Sequence, residues 1–139
     1  MRFIERVKAR RIGGMKGFSL LELLIAMFIL IILLSVALPI YQRSVQHARE
    51  TVLKENLFQM RRAIDQYTAD KNVAPQTIED LVEGGYLREV PVDPVNLEKR
   101  EWDPVMGDDP NSNEGEQGLV DVKSLAEGTD TDGIAYSEY

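Results

Sequence analysis

The stretch Gly17-Phe18-Ser19-Leu20-Leu21-Glu22-Leu23-Leu24-Ile25-Ala26 decides the fold, because it opens a long apolar run that carries one charge. Glu22 is the only charged residue among the 21 from Phe18 to Leu38. At about 1.5 Å per helical residue the run is roughly 31 Å long, the thickness of one bilayer hydrocarbon core. A carboxylate inside such a segment costs up to ~3 kcal/mol at mid-helix, and less one turn in from the end. A charge kept there calls for a positive partner.

Upstream, the first 17 residues hold Arg2, Arg6, Lys8, Arg10, Arg11 and Lys16 against Glu5 alone. A basic segment before a spanning helix stays on the cytoplasmic side, which sends the rest of the chain outward, into the periplasm of a Gram-negative cell. Met15-Lys16-Gly17-Phe18 offers a second translation start beside Met1. Ser35-Val36-Ala37 is a weak signal-peptidase pattern, but the apolar run is longer than a usual signal core and the helical pattern continues past it.

Gly17-Phe18-Ser19-Leu20-Leu21-Glu22, after a basic leader and before an unbroken apolar run, resembles the processing site of type IV prepilins, a superfamily that includes the pseudopilins of type II secretion. The resemblance implies that a prepilin peptidase cuts between Gly17 and Phe18, that the new N-terminus at Phe18 is methylated, and that Glu22 acts in assembly. It also implies partners: copies of the same chain in a filament, an inner-membrane assembly platform, and minor pseudopilins.

Downstream, helical periodicity continues through Tyr41, Val45, Ala48, Val52, Leu53, Leu57, Met60, Ile64 and Tyr67. Arg43, Arg49, Glu50, Lys54, Glu55, Arg61, Arg62 and Asp65 fill the gaps and read as the polar face. Pro39 removes one backbone hydrogen bond and is expected to kink or loosen the helix. The helix is expected to run from Phe18 to about Ala69 and stop near Asp70-Lys71-Asn72. Thr77 to Glu83 predicts a short helix capped by Thr77 and ended by Gly84-Gly85. Val90-Pro91-Val92-Asp93-Pro94 predicts an irregular connector. The order from Pro75 through Gly85-Tyr86-Leu87 to Pro94 resembles, more loosely, the loop after the long helix of major pseudopilins. Strands are expected at Arg100–Asp103 and Leu119–Ser124, with a polar loop from Gly107 to Gly115 between them.

The charge balance excludes some partners. The whole chain carries −7, and without the leader's +5 the remainder carries −12. An acidic surface is unsuited to nucleic acid or anionic lipid and suited to a divalent cation. The chain has no cysteine, and its single histidine, His47, lies among polar residues. No phosphate loop, nucleophile elbow or paired-histidine motif appears, so an enzyme is not expected.

A domain this small usually needs a staple, and without cysteines a metal is the natural one. Asp130 and Asp132, between Gly128 and Gly133, have a composition that can fold around calcium. Major pseudopilins hold calcium in a C-terminal loop, and that likeness implies Ser124, Asp130 and Asp132 as ligands. The spacing is shorter than in the family loop, and a solvated acidic tail is the alternative.

The expectation is therefore an α+β, pilin-like fold: a basic leader (1–17), a membrane-spanning half-helix (18–39), an amphipathic half-helix (40–70) and a small extracytoplasmic domain (71–139) with an antiparallel sheet. The expected role is that of a structural subunit of a type II secretion pseudopilus, anchored by a single pass in the inner membrane. The alternatives are a subunit of a type IV pilus or a monomeric membrane-anchored calcium-binding module.

Overall fold

The computed structural model describes residues 17–97, 99–112 and 115–139. The basic residues of the expected leader, Arg2 to Lys16, lie outside the described residues. The fold is α+β in the pilin-like layout: helix α1 (Leu20–Lys71), helix α2 (Ile78–Glu83), strands β1 (Trp102–Asp108) and β2 (Gln117–Ser124), and a closing 3-10 turn at Tyr136–Glu138. The chain divides between Leu38 and Pro39 into two units.

In the first unit α1 is apolar all round, and the large side chains from Leu20 to Leu38 are exposed. α1 is the one helix among the described residues long and apolar enough to cross a membrane. A helix without a polar face has no reason to stay in water and is stable in lipid, where every backbone group is satisfied within the helix. Pro39 lies within α1, and helical structure runs through it.

The second unit has its own core, built by Leu53, Leu57, Met60, Ala63 and Ile64 of α1, Ile78 and Leu81 of α2, Trp102, Leu119 and Val122 of the sheet, and Tyr136. Leu53, Leu57, Met60 and Ile64 recur at steps of three and four, so they share one face of the helix. The upper part of the expected stripe behaves differently. Tyr41, Ala48 and Val52 are exposed and Val45 is half-buried. The buried face instead begins at Glu50, one step before Leu53, which corrects the reading of Glu50 as solvated.

The helix ends follow their local chemistry. α1 stops at Lys71, and Asn72 takes the left-handed conformation (φ 55°) that asparagine tolerates after a helix C-terminus. Thr77 caps α2 in a reciprocal box: its hydroxyl accepts from the Asp80 amide at 3.3 Å, and the Asp80 carboxylate accepts from the Thr77 amide at 2.9 Å. Gly85, at φ 80°, turns the chain so that the Tyr86 and Leu87 amides reach the Leu81 carbonyl.

β1 and β2 pair antiparallel from Trp102↔Ser124 to Asp108↔Gln117. β1 thus runs five residues beyond its expected end at Asp103 and takes in Gly107 and Asp108, expected as loop. Pro104 is tolerated because this sheet has two strands, leaving each an open edge. The register shifts where Val105↔Asp121 is followed by Met106↔Leu119, so Val120 is the extra residue of a bulge. The bulge resets the alternation and lets Leu119, Val122 and Ser124 all be buried. Gly118 lies against α2's approach segment, where a Cβ would come within 2.4 Å of the Ala74 Cβ.

Candidate processing and assembly site

Gly17, Phe18 and Ser19 form a short non-helical lead into α1. The Ser19 carbonyl accepts the Leu23 amide at 3.1 Å, which makes Ser19 the residue where helical bonding begins. A Cβ built on Gly17 meets none of the described residues within 4 Å, so their packing does not require glycine there. Phe18 is 83 % exposed.

Glu22 lies in the first turn of α1, where a negative charge complements the positive end of the helix dipole. Its side chain is exposed, and among the described residues it has no ion-pair partner.

The three residues expected to bind calcium are placed as follows. The Ser124 hydroxyl donates to the buried Asp93 carboxylate at 2.5 Å and accepts the Ala126 amide at 3.0 Å. Asp130 is buried. Its Oδ1 accepts the Asp132 and Ile134 amides, each at 2.8 Å, and its Oδ2 accepts the Tyr139 hydroxyl, with the Lys54 ammonium at 3.7 Å. The Tyr139 hydrogen bond comes first in holding the Asp130 carboxyl below its ordinary range, against burial and with help from the two amides and Lys54. Asp132 is exposed and enters this loop through its main-chain amide.

Calcium seeks carboxylate, carbonyl and water oxygens with free lone pairs. In this arrangement Asp130 and Ser124 direct theirs at N–H and O–H donors, and Asp130 adds a neighbouring ammonium. The donor set does not fit a cation. Among the described residues no group of three or more His, Cys, Asp and Glu converges on a metal position.

Sequence reasoning missed the groups that anchor the loops. Glu50, 2 % exposed, accepts from the Thr131 hydroxyl (2.8 Å) and amide (3.2 Å), the Tyr136 hydroxyl (3.0 Å) and the Gln46 amide (3.2 Å). Burial by itself raises the Glu50 pKa, but the Thr131, Tyr136 and Gln46 donors together outweigh it and hold the carboxyl below its usual value. Asp93 takes the Val95 and Asn96 amides besides Ser124, and Asp109 takes those of Ala74 and Asn111. Arg61 joins Asp121 at 2.6 Å and the main-chain oxygens of Val122 and Tyr139. One signal was available: Glu50 shares the three-and-four spacing of Leu53, Leu57, Met60 and Ile64.

With this geometry in place, comparison with known proteins finds the Prokaryotic N-terminal methylation motif over residues 14–38. The match takes in Gly17, Phe18, Glu22 and the apolar half of α1. It supports a type IV pilin-like or pseudopilin class, and the motif implies in general a prepilin peptidase and filament assembly. No curated protein and no solved structure matches the chain.

Proposed function

We propose that this chain is a structural subunit of a type II secretion pseudopilus, cut between Gly17 and Phe18, methylated at Phe18, and assembled into a filament that aids protein export. The observation that carries the reading is Gly17-Phe18…Glu22 standing exposed at the head of an apolar helical segment, Leu20 to Leu38, whose large side chains are exposed among the described residues. Leader removal gives Phe18 an amine. On an incoming subunit that amine pairs with the Glu22 carboxylate of a subunit already in place, satisfying in a low-dielectric bundle two charges that are each costly alone. The role is mechanical: the chain supplies packing surface and axial register, and the assembly platform of the inner membrane with its minor pseudopilins is its partner.

The absence of a cysteine pair and the Pro91-Val92-Asp93-Pro94 connector support the pseudopilus over a surface pilus. Deleting the gene from its own cell tests this. Loss of exported enzymes from the medium, with motility and DNA uptake intact, is the expected result. Loss of motility or DNA uptake with export intact assigns the chain to a type IV pilus instead.

A further inference from the structure

The C-terminal segment from Gly128 to Tyr139 contains no strand pair and reaches the rest of the second unit mostly through side chains. Within it one isolated bridge joins Thr129 to Ala135, and the Tyr136 amide returns to the Gly128 carbonyl. Two buried carboxylates take up its donors, one on α1 and one within the segment. Glu50, on α1, accepts the Thr131 amide, the Thr131 hydroxyl and the Tyr136 hydroxyl. Asp130, in the segment, accepts the amides of Asp132 and Ile134 and the hydroxyl of Tyr139, and faces Lys54 of α1.

The two clusters touch. The Tyr136 and Tyr139 rings meet edge to face with centroids 5.9 Å apart, and the Lys54 ammonium lies 4.6 Å from the centre of the Tyr139 ring. Gln46 donates to both Glu50 and the Tyr136 hydroxyl, so the α1 side of the cluster runs from Gln46 through Glu50 to Lys54, one turn at a time. Among the described residues no buried side-chain polar atom lacks a partner.

We propose that Glu50 and Asp130 form a carboxylate latch that closes residues 128–139 onto α1 and orders this segment without calcium. A carboxylate is acceptor-only, and each of these two is surrounded by donors. A calcium ion at Asp130 would have to compete with two amides at Oδ1, or with the Tyr139 hydroxyl at Oδ2 close to the Lys54 ammonium. The latch thus takes the structural place that a disulfide or a metal holds in other small extracytoplasmic domains. The inference does not depend on which filament the chain builds.

The test uses the full chain in detergent micelles, with two readouts. Trp102, the only tryptophan, is buried in the core of the second unit, so its fluorescence follows melting of that unit. Hydrogen exchange at the Asp132 and Ile134 amides follows the latch itself. The latch predicts equal melting and equal protection in calcium, magnesium and chelator. It predicts that Glu50→Gln and Asp130→Asn each lower the melting temperature by on the order of 5 °C or more. Tyr139→Phe, which keeps the ring and removes one donor, should fold and speed exchange at Ile134, while Asp132→Asn changes neither readout. A calcium-specific rise in melting temperature that Asp132→Asn abolishes would overturn the proposal. So would free exchange of the Ile134 amide in every buffer.

Discussion

Glu22 and Glu50 lie on the same helix, and the chain treats them in opposite ways. Glu22 stands in an apolar segment whose side chains are exposed among the described residues, and no described residue pairs with it. Glu50 stands on a face that packs into a core, and four donors from three residues meet it. The difference is one of where satisfaction comes from. A buried carboxylate with its donors present stabilises the fold that contains it, whereas an unpaired one in an apolar segment favours whichever neighbour can supply a cation. Under the proposed function one helix serves two ends: assembly with other subunits through its first part, and folding of its own domain through its second.

The largest expected effect breaks the first half of that contrast. Glu22→Ala should still be inserted and processed, yet leave the Phe18 amine of each neighbour unpaired at a cost of about 3–5 kcal/mol per contact. Filament yield by electron microscopy should collapse while domain melting is unchanged. Normal filaments would remove the pairing from the picture.

Leu53 and Val52 offer the sharpest comparison on the second half, being adjacent in sequence at 0 % and 49 % exposure. Leu53→Ala should cost about 2–5 kcal/mol of domain stability through a cavity beside Leu57 and Met60. Val52→Ala should stay within about 0.5 kcal/mol, as surface substitutions do. Chemical denaturation followed by Trp102 fluorescence separates the two, and equal losses would mean that the buried face has been misplaced.

Much of this was readable in the residues because its causes are local. The processing motif, the apolar run, the Thr77 cap, the Gly84-Gly85 stop and the helix end near Asn72 each depend on neighbours within a turn or two. What escaped depends on contacts distant in sequence. Glu50 reads as polar until Thr131 and Tyr136, some eighty residues away, are brought to it. Asp93 looks like part of a proline-rich connector until Ser124 and Trp102 fix its surroundings, the latter by donating to the Pro91 carbonyl at 2.9 Å. The extension of β1 was hidden by Pro104 and Gly107, which read as breakers. The bulge at Val120 shifted the alternation that would otherwise have marked the buried face of β2. Among the proposed site residues, Gly17, Phe18 and Glu22 fall within the matched methylation motif, whereas the Ser124 hydroxyl and the Asp130 carboxylate are engaged by protein donors and Asp132 is exposed.

A smaller effect follows from protonation. Glu50 and Asp130 both have folded pKa values below the ordinary carboxylate range. The stability they contribute is thus fully present above that range and is lost as pH falls through it toward the folded values. The groups facing them are Gln46, Lys54, Thr131, Tyr136 and Tyr139. On the alkaline side Tyr136 and Tyr139 are shifted upward, by burial first and then by their bonds to Glu50 and Asp130. Their contribution is present below the normal tyrosine range and declines as pH rises through it. A melting-temperature profile should therefore fall at both ends, and Glu50→Gln should flatten the acid limb. An acid limb of unchanged slope in that variant would place the titrating group elsewhere.

Processing gives the most direct reading of what the N-terminal segment is for. Because a Cβ on Gly17 meets none of the described residues, Gly17→Ala tests the peptidase without disturbing their packing. Intact-mass spectrometry of the chain from cells with an active prepilin peptidase should give a protein that begins at Phe18 and carries one added methyl group. The Gly17→Ala variant should retain its leader. A filament-borne chain that keeps residues 1–17, or one cut near Ser35-Val36-Ala37, would contradict the pilin-like class and with it the assembly role given to Glu22.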